Sequence, residues 1–305
     1  MEPVCGAANE FDRIGHVLLR RPQDAFVDAA VVQRQWRELN YLSPPDVAGA
    51  AREFDRLVEV IAAIGTRIDF LAADARLTLD AIYVRDAVVT APDGVILGNM
   101  GKATRRAEPA LCADALRDLG VPVAGAIVGD GLLEGGDVVW LDAGNVLVGE
   151  GYRTNSAGIR QLRRLLGSDV CVHTVALPHW RGEADVFHLM SMLSPVDRDL
   201  AVVYARLLPV SLRRLLLERG FELVEVSDEE FEAMGCNVLA LAPRRVVMLR
   251  GNPRTRRALE RAGVDVCEVD GAEISHKGSG GPTCLTRPIR REPAASGARP
   301  ARVRT

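Results

Sequence analysis

Residues 155–177, NSAGIRQLRRLLGSDVCVHTVAL, carry the pattern on which the fold turns. The first part reads as an amphipathic helix over 155–166. It stops at Gly167, a residue suited to the left-handed conformation just past a helix C-terminus. The second part is a β-branched strand. The same order recurs four times more. Helices over 47–64, 107–119, 209–219 and 253–262 stop at Gly65, Gly120, Gly220 and Gly263, and RIDFL, VPVAGAIV, FELVEV and VDVCEV follow them. Successive glycine stops stand 55, 47, 53 and 43 residues apart in the order 65, 120, 167, 220, 263. Ahead of the later helices come pairs of apolar runs: YVRDAVVTA with GVILGN, GDVVWL with NVLVGE, FHLMSML with DLAVVYA, and CNVLALA with RVVMLRG.

A period near 50 residues marks a repeated supersecondary unit. Here the unit is ββαβ, and the two chain ends complete one copy between them. FDRIGHVLLRRP (11–22) supplies the strand that leads to the first helix. Five units predict an α/β ring with strands inside and helices outside, a five-bladed α/β propeller of pseudo-fivefold symmetry around a central active site. Closure of this kind removes exposed sheet edges. An ordinary α/β sandwich with accidental spacing is the alternative. Residues 1–10 read as an N-terminal extension, 11–290 as one domain, and 291–305 as a Pro/Ala/Arg-rich disordered tail. Residues 21–46 interrupt the first unit; Phe26, Trp36 and Tyr41 make this stretch a lid or a piece of rim packing.

The 305 residues are 48% hydrophobic and 26% charged, which excludes disorder, collagen or coiled coil for the chain as a whole. No apolar run approaches the roughly 18–20 residues of a membrane span. MEPVCGAANEFDR has neither a basic nor an apolar leader region, so no secretory signal is expected. A net charge of −3 argues against a nucleic-acid surface. Six cysteines without a CxxC pair predict neither a zinc ribbon nor a disulfide framework, but a reduced, cytoplasmic chain. A homodimer is allowed by the sequence without being indicated by it.

Asp86, His188 and Cys284 each lie 21 residues past a glycine stop, Glu134 lies 14 past Gly120, and Asn237 lies 17 past Gly220. In a pseudo-symmetric ring such positions converge on the axis. That set is chemically coherent. Two carboxylates hold a planar cation by charge-assisted hydrogen bonds. A thiolate attacks and a histidine moves protons. Asn237 reads as a structural hydrogen bonder, His276 as a loop residue, and Cys171 and Cys267 as buried inert thiols. The spacing of His173, His179, Asp185 and His188 matches no zinc signature, so no metal and no cofactor is expected.

VRDAVV, LEGGDVV, FHLMS, GCNVL and GGPTCLT resemble, in this order, the motifs of the guanidine-modifying pentein superfamily, over residues 13–290. Dimethylarginine dimethylaminohydrolases, arginine deiminases and amidinotransferases belong to it, and its fold is the five-bladed propeller. The resemblance implies that Cys284 is the nucleophile, His188 the acid/base and Glu134 the carboxylate that binds guanidinium and orients the histidine. It implies substrate contacts for Asp86 and Asp80, and an α-carboxylate contact for Arg105 and Arg153. Met190 stands where arginine deiminases carry the aspartate of HLD, and Thr283 precedes the cysteine as in some dimethylargininases. The expected function is therefore hydrolysis of an N-substituted arginine, a small-molecule guanidino amino acid, to citrulline and an amine. Arginine deimination or amidino transfer is the alternative, and a ring that only binds, as in a ribosome-binding translation factor, is the non-enzymatic one.

Overall fold

The five glycines that stop the helices all take φ between 72° and 82° in the computed structural model, a conformation that residues with a Cβ resist. Each releases the chain toward a strand that runs parallel to the strand preceding its helix. The structure describes residues 5–185 and 187–293. Within them lie five three-stranded sheets. Each blade has an inner strand, a middle strand antiparallel to it, a helix, and an outer strand parallel to the middle one.

Blade 1 joins the chain ends: inner Arg287–Glu292, middle Arg13–Leu19, helix Val47–Ala62, outer Arg67–Phe70. Blade 2 has inner Val88–Ala91, middle Gly94–Leu97, helix Glu108–Asp118 and outer Val123–Ala126. Blade 3 follows with Val138–Asp142, Asn145–Glu150, Ser156–Leu166 and Cys171–Ala176. Blade 4 has Leu193–Asp197, Leu200–Val203, Val210–Glu218 and Glu222–Glu225. Blade 5 has Leu239–Ala242, Arg245–Leu249, Pro253–Arg261 and Asp265–Val269.

The inner strands are almost wholly buried, and the outer strands alternate or face solvent. Hydrogen bonds between blades close the ring. Thr90 Oγ1 donates to Pro288 O (2.7 Å) and Trp140 Nε1 to Thr90 O (3.0 Å). Leu189 N donates to Asp137 Oδ1 (2.9 Å), Ser194 Oγ to Cys236 O (2.7 Å) and Arg291 Nη1 to Ala240 O (3.0 Å). Outside, each helix buries one stripe. In Val47–Ala62, Asp46 caps the N-terminus by accepting from Gly49 N, and Ala50, Phe54, Leu57 and Ile61 line the buried face. Truncating Phe54 to alanine there costs about 3–5 kcal/mol.

Two boundaries and one burial assignment differ from the expectations. The apolar runs before the inner strands are not strand throughout. Gly135–Asp137 and Leu189–Ser191 form single 3₁₀ turns, because Gly135 N bonds Asp86 O and Leu189 N bonds Asp137 Oδ1 rather than a neighbouring strand. Blade 1's inner strand runs to Glu292, past the expected start of the tail at 291; residues 294–305 lie outside the described residues. Cys171 is exposed, not buried, since it occupies the outward face of an outer strand.

Residues 5–10 of the N-terminal extension pack on blade 1, where Gly6 bridges Arg290 and Glu10 is buried. The 21–46 stretch holds two short helices, Pro22–Ala25 and Ala29–Gln35. Phe26 and Tyr41 are buried edge to face, 6.5 Å between centroids, and Trp36 is half-buried.

Candidate active site

Every blade contributes one chemically distinctive side chain just before its inner strand: Asp86, Glu134, His188, Asn237 and, for blade 1, Cys284. A cavity of about 240 Å³ is lined by Asp80, Asp86, Arg105, Glu134, Arg153, His188 and Cys284. All seven positions expected at the site therefore border one space. A larger depression of about 650 Å³ beside Pro92 and Pro122 is lined mostly by proline, valine and glycine and has no such set.

The histidine is fixed by its neighbours. His188 Nε2 lies 2.8 Å from Glu134 Oε2, and Nδ1 lies 3.9 Å from Asp86 Oδ1, too far for a hydrogen bond. Gly136 sits beneath the ring. A Cβ there would come within 2.6 Å of His188 Nδ1 and 2.8 Å of Asp86 Oδ1, so this turn admits only glycine. Burial opposes the imidazolium, but Asp86, Asp137 and Glu134 outweigh it and raise the His188 pKa to about 9. Burial likewise works against the two carboxylates, and His188 with Arg105 nevertheless holds both below their ordinary values.

Both acids retain accepting capacity. A carboxylate offers about four acceptor positions. Asp86 uses one for Gly136 N (3.0 Å) and one for Arg105 Nη1 (2.6 Å). Glu134 uses three, for Gly101 N, Lys102 N and His188. Asp86, Glu134 and His188 place ligand atoms within 4.8 Å of one another, the only such group of three among the described residues. Part of their accepting capacity is already met by N–H donors, and a protonated His188 places a positive charge between the two acids. His173 and His179 bond elsewhere, to Asn145 (3.0 Å) and Tyr152 (2.7 Å).

The nucleophile candidate is held from the fifth blade. Asn237 Nδ2 donates to Cys284 Sγ (3.2 Å) while its Oδ1 accepts from Thr283 N (2.9 Å), so one amide clamps two successive residues. Burial first, and Asp86 second, raise the Cys284 pKa; the Asn237 and Gly281 hydrogen bonds offset this only in part. The resting site thus pairs a neutral thiol with an imidazolium.

The two arginines differ. Arg105 donates to Glu108 twice, to Asp86 and to Tyr83 O, which leaves one of its five N–H groups for a ligand. It holds Asp86 in place, a task that the resemblance did not suggest. Arg153 is buried with its Nε unpartnered and its Nη1 3.9 Å from Glu134 Oε1, and so has donors to spare. Asp80 pairs with Lys102 Nζ (2.6 Å), which also donates to Leu39 O (2.9 Å). Sequence reasoning missed Lys102, and it missed Asp137, which is buried beside His188 and lifted to about 6 by that burial. The aspartate stands in plain sight in LEGGDVV; nothing in the motif says which acid faces the pocket.

A family profile described as "N,N dimethylarginine dimethylhydrolase, eukaryotic" matches residues 30–291. The chain belongs to the dimethylarginine dimethylhydrolase family. Among curated relatives, it is 34% identical over 192 residues to the arginine deiminase of Mycobacterium marinum, covering 53% of this chain and 47% of that one. The chain spans about half the length of these deiminases. It is 25% identical over 282 residues to the uncharacterized protein YkgA of Bacillus subtilis, covering 92% and 93%. Solved structures agree with the fold of this dimethylhydrolase-family chain. The Pseudomonas aeruginosa dimethylargininase, as a cysteine-to-serine mutant complexed with citrulline, superimposes with a TM-score of 0.73 at 24% identity, covering 90% and 98%. SxtG, an amidinotransferase from Microseira wollei, gives 0.76 at 17% identity, covering 96% and 98%. The fold is the five-bladed α/β propeller of the pentein superfamily.

Proposed function

We propose that the protein hydrolyses an N-substituted guanidine, a methylated arginine or close analogue, to citrulline and an amine. One observation carries this reading: a thiol, an imidazolium and two carboxylates with unused acceptor positions border a single cavity. Acceptors in excess suit a flat cation. Asp86 and Glu134 take the guanidinium, Arg153 and the remaining N–H of Arg105 take the α-carboxylate, and the Asp80–Lys102 pair contacts the amino-acid end. Fixing the guanidinium over the sulfur replaces encounter by orientation. Its charge offsets the effect of Asp86 on Cys284 and so promotes the thiolate.

The thiol proton leaves to solvent, since His188 already carries its own, and Sγ bonds to the guanidinium carbon. His188 gives its Nδ1 proton to the departing nitrogen as the C–N bond breaks, with Nε2 held by Glu134. The S-alkylthiouronium that remains is attacked by water, which the now neutral His188 deprotonates. The C–S bond breaks and citrulline leaves. The test is to incubate the protein with monomethylarginine, dimethylarginine and arginine and to identify products by mass. Citrulline with methylamine or dimethylamine is expected. Citrulline from arginine alone assigns the site to deimination, and ornithine with an amidinated acceptor assigns it to transfer.

A further inference from the structure

A second cavity, of about 260 Å³, meets the first at Cys284 and His188. Its lining is mixed: Trp180, Phe187, Met190, Phe231 and Met234 form one wall, and Arg181, Asp185, Glu232 and His276 stand among the polar groups around it. This aromatic wall is braced from behind. Phe231 stacks on Tyr204, 3.8 Å between centroids and 7° from parallel, and Trp180 meets Phe231 edge-on at 6.2 Å. Tyr204 is tied in turn to Asp228 by its hydroxyl (2.9 Å), and an Arg181–Glu232 ion pair lies beside Trp180. The sulfur therefore lies between a chamber lined by carboxylates and arginines and a mixed one with an aromatic wall.

We propose that the aromatic wall of this second chamber receives the substituent on the guanidine nitrogen, and that the preferred substrates are arginines bearing a bulky apolar or aromatic N-substituent. This rests on the guanidine-hydrolase reading above. The charged chamber holds the amino-acid half through Arg153 and Asp80. The substituted nitrogen then points past Cys284 toward Trp180 and Phe231. When the Sγ–C bond forms, the bond from carbon to that nitrogen breaks. The nitrogen keeps the electron pair, takes the His188 Nδ1 proton and leaves as a primary amine, R–NH₂. Water enters where it stood and completes hydrolysis to citrulline.

Size favours the same conclusion. Dimethylamine fills on the order of two or three water shares of about 30 Å³ each. A benzyl or butyl group uses far more of the 260 Å³ chamber, and matching an apolar wall raises kcat/KM about tenfold or more.

The full-length protein is assayed with N-methyl-, N-butyl- and N-benzylarginine and with arginine, reading both citrulline and the released amine. The expected result is a kcat/KM for N-benzylarginine about tenfold above that for N-methylarginine. Trp180→Ala and, as the milder change, Phe231→Leu then lower the benzyl-to-methyl ratio, the first by about tenfold. Turnover of N-methylarginine equal to or faster than that of N-benzylarginine overturns the proposal, as does a ratio that neither variant moves. Citrulline from none of the four compounds defeats the guanidine-hydrolase reading itself, and ornithine with benzylguanidine from arginine and added benzylamine would make the chamber an acceptor site instead.

Discussion

Two clusters of buried charge meet at the loop that carries Cys284, and they are finished differently. Behind the loop, Glu10 lies among Arg85, Arg287 and Arg291. Burial alone would raise the Glu10 carboxyl, but the three arginines together hold it below its ordinary range. Those arginines spend donors on backbone carbonyls: Arg85 on Thr283, Arg287 on Arg85, Arg291 on Ala240 and Asp12. In front of the loop, Asp86 and Glu134 share Arg105 and His188 and keep acceptor positions open toward a cavity. The rear cluster spends its charges stapling the two chain ends into one blade. The front one is left incomplete on the side where a ligand enters. Buried ion groups thus serve stability or chemistry according to whether their hydrogen-bonding capacity is used up within the protein.

The sharpest way to break this contrast is to change one member of each cluster. Cys284→Ser lowers kcat by at least about 10³-fold, because a serine hydroxyl between a carboxylate and an amide is a far weaker nucleophile. Its thermal midpoint moves by no more than about 2 °C, as expected for a near-isosteric change. A variant that keeps turnover removes the sulfur from the reaction. Glu10→Gln has the opposite signature. It strands three buried arginines, and urea unfolding registers a loss of about 3–5 kcal/mol while the folded fraction still turns over substrate. A loss below about 1 kcal/mol means that the rear cluster is held by its carbonyl bonds alone.

Glu134→Gln comes next and tests the front cluster from within. The amide oxygen still accepts from Gly101 N and Lys102 N, but the anion beside His188 is gone. In the parent protein kcat falls as pH rises through about 9, where His188 loses the proton needed by the departing amine. In the variant this limb shifts toward the ordinary value near 6.5, and kcat at neutral pH drops about 10²-fold. Stability follows the same sign. A histidine whose pKa rises on folding stabilises fully below about 6.5, and the gain disappears by about 9. Unfolding measured at pH 6 and pH 10 therefore shows a fall in the parent that the variant flattens. An unshifted limb would separate Glu134 from the proton on His188.

Much of this front cluster was legible before any coordinates. The ring followed from the glycine stops, because a left-handed residue after a helix is a local requirement that a sequence cannot hide. The convergence of Asp86, His188 and Cys284 followed from their shared register. What stayed hidden depends on contacts between segments remote in the sequence. Arg105 is spent on Glu108, an i,i+3 neighbour, and on Asp86, and the second pairing is one that no spacing reveals, since Asp86 precedes a strand and Arg105 a helix of the same blade. The aromatic wall of the second chamber needs Trp180 and Phe231 to meet across 51 residues, and neither sits in a motif. The inner strands begin two to six residues after the apolar runs do, because apolar side chains in a buried turn read like apolar side chains in a strand.

The smallest expected effect concerns Asp137. Its Oδ1 accepts from Leu189 N, the residue after His188, and burial lifts its carboxyl to about 6. Asp137→Asn keeps the acceptor and removes a buried anion that helps to raise the His188 pKa. Two consequences follow, with separate signs. A carboxyl whose pKa rises from 3.8 to about 6 on folding costs stability increasingly over that window. The variant therefore gains on the parent between these values and keeps that gain above them, with no gain near pH 3. The high-pH limb of kcat moves down by less than one unit, because Glu134 and Asp86 still face the ring. NMR titration of the His188 imidazole, alongside the pH profile, measures the second effect directly. A larger shift than Glu134→Gln produces would make Asp137, rather than the hydrogen-bonded glutamate, the main holder of the proton.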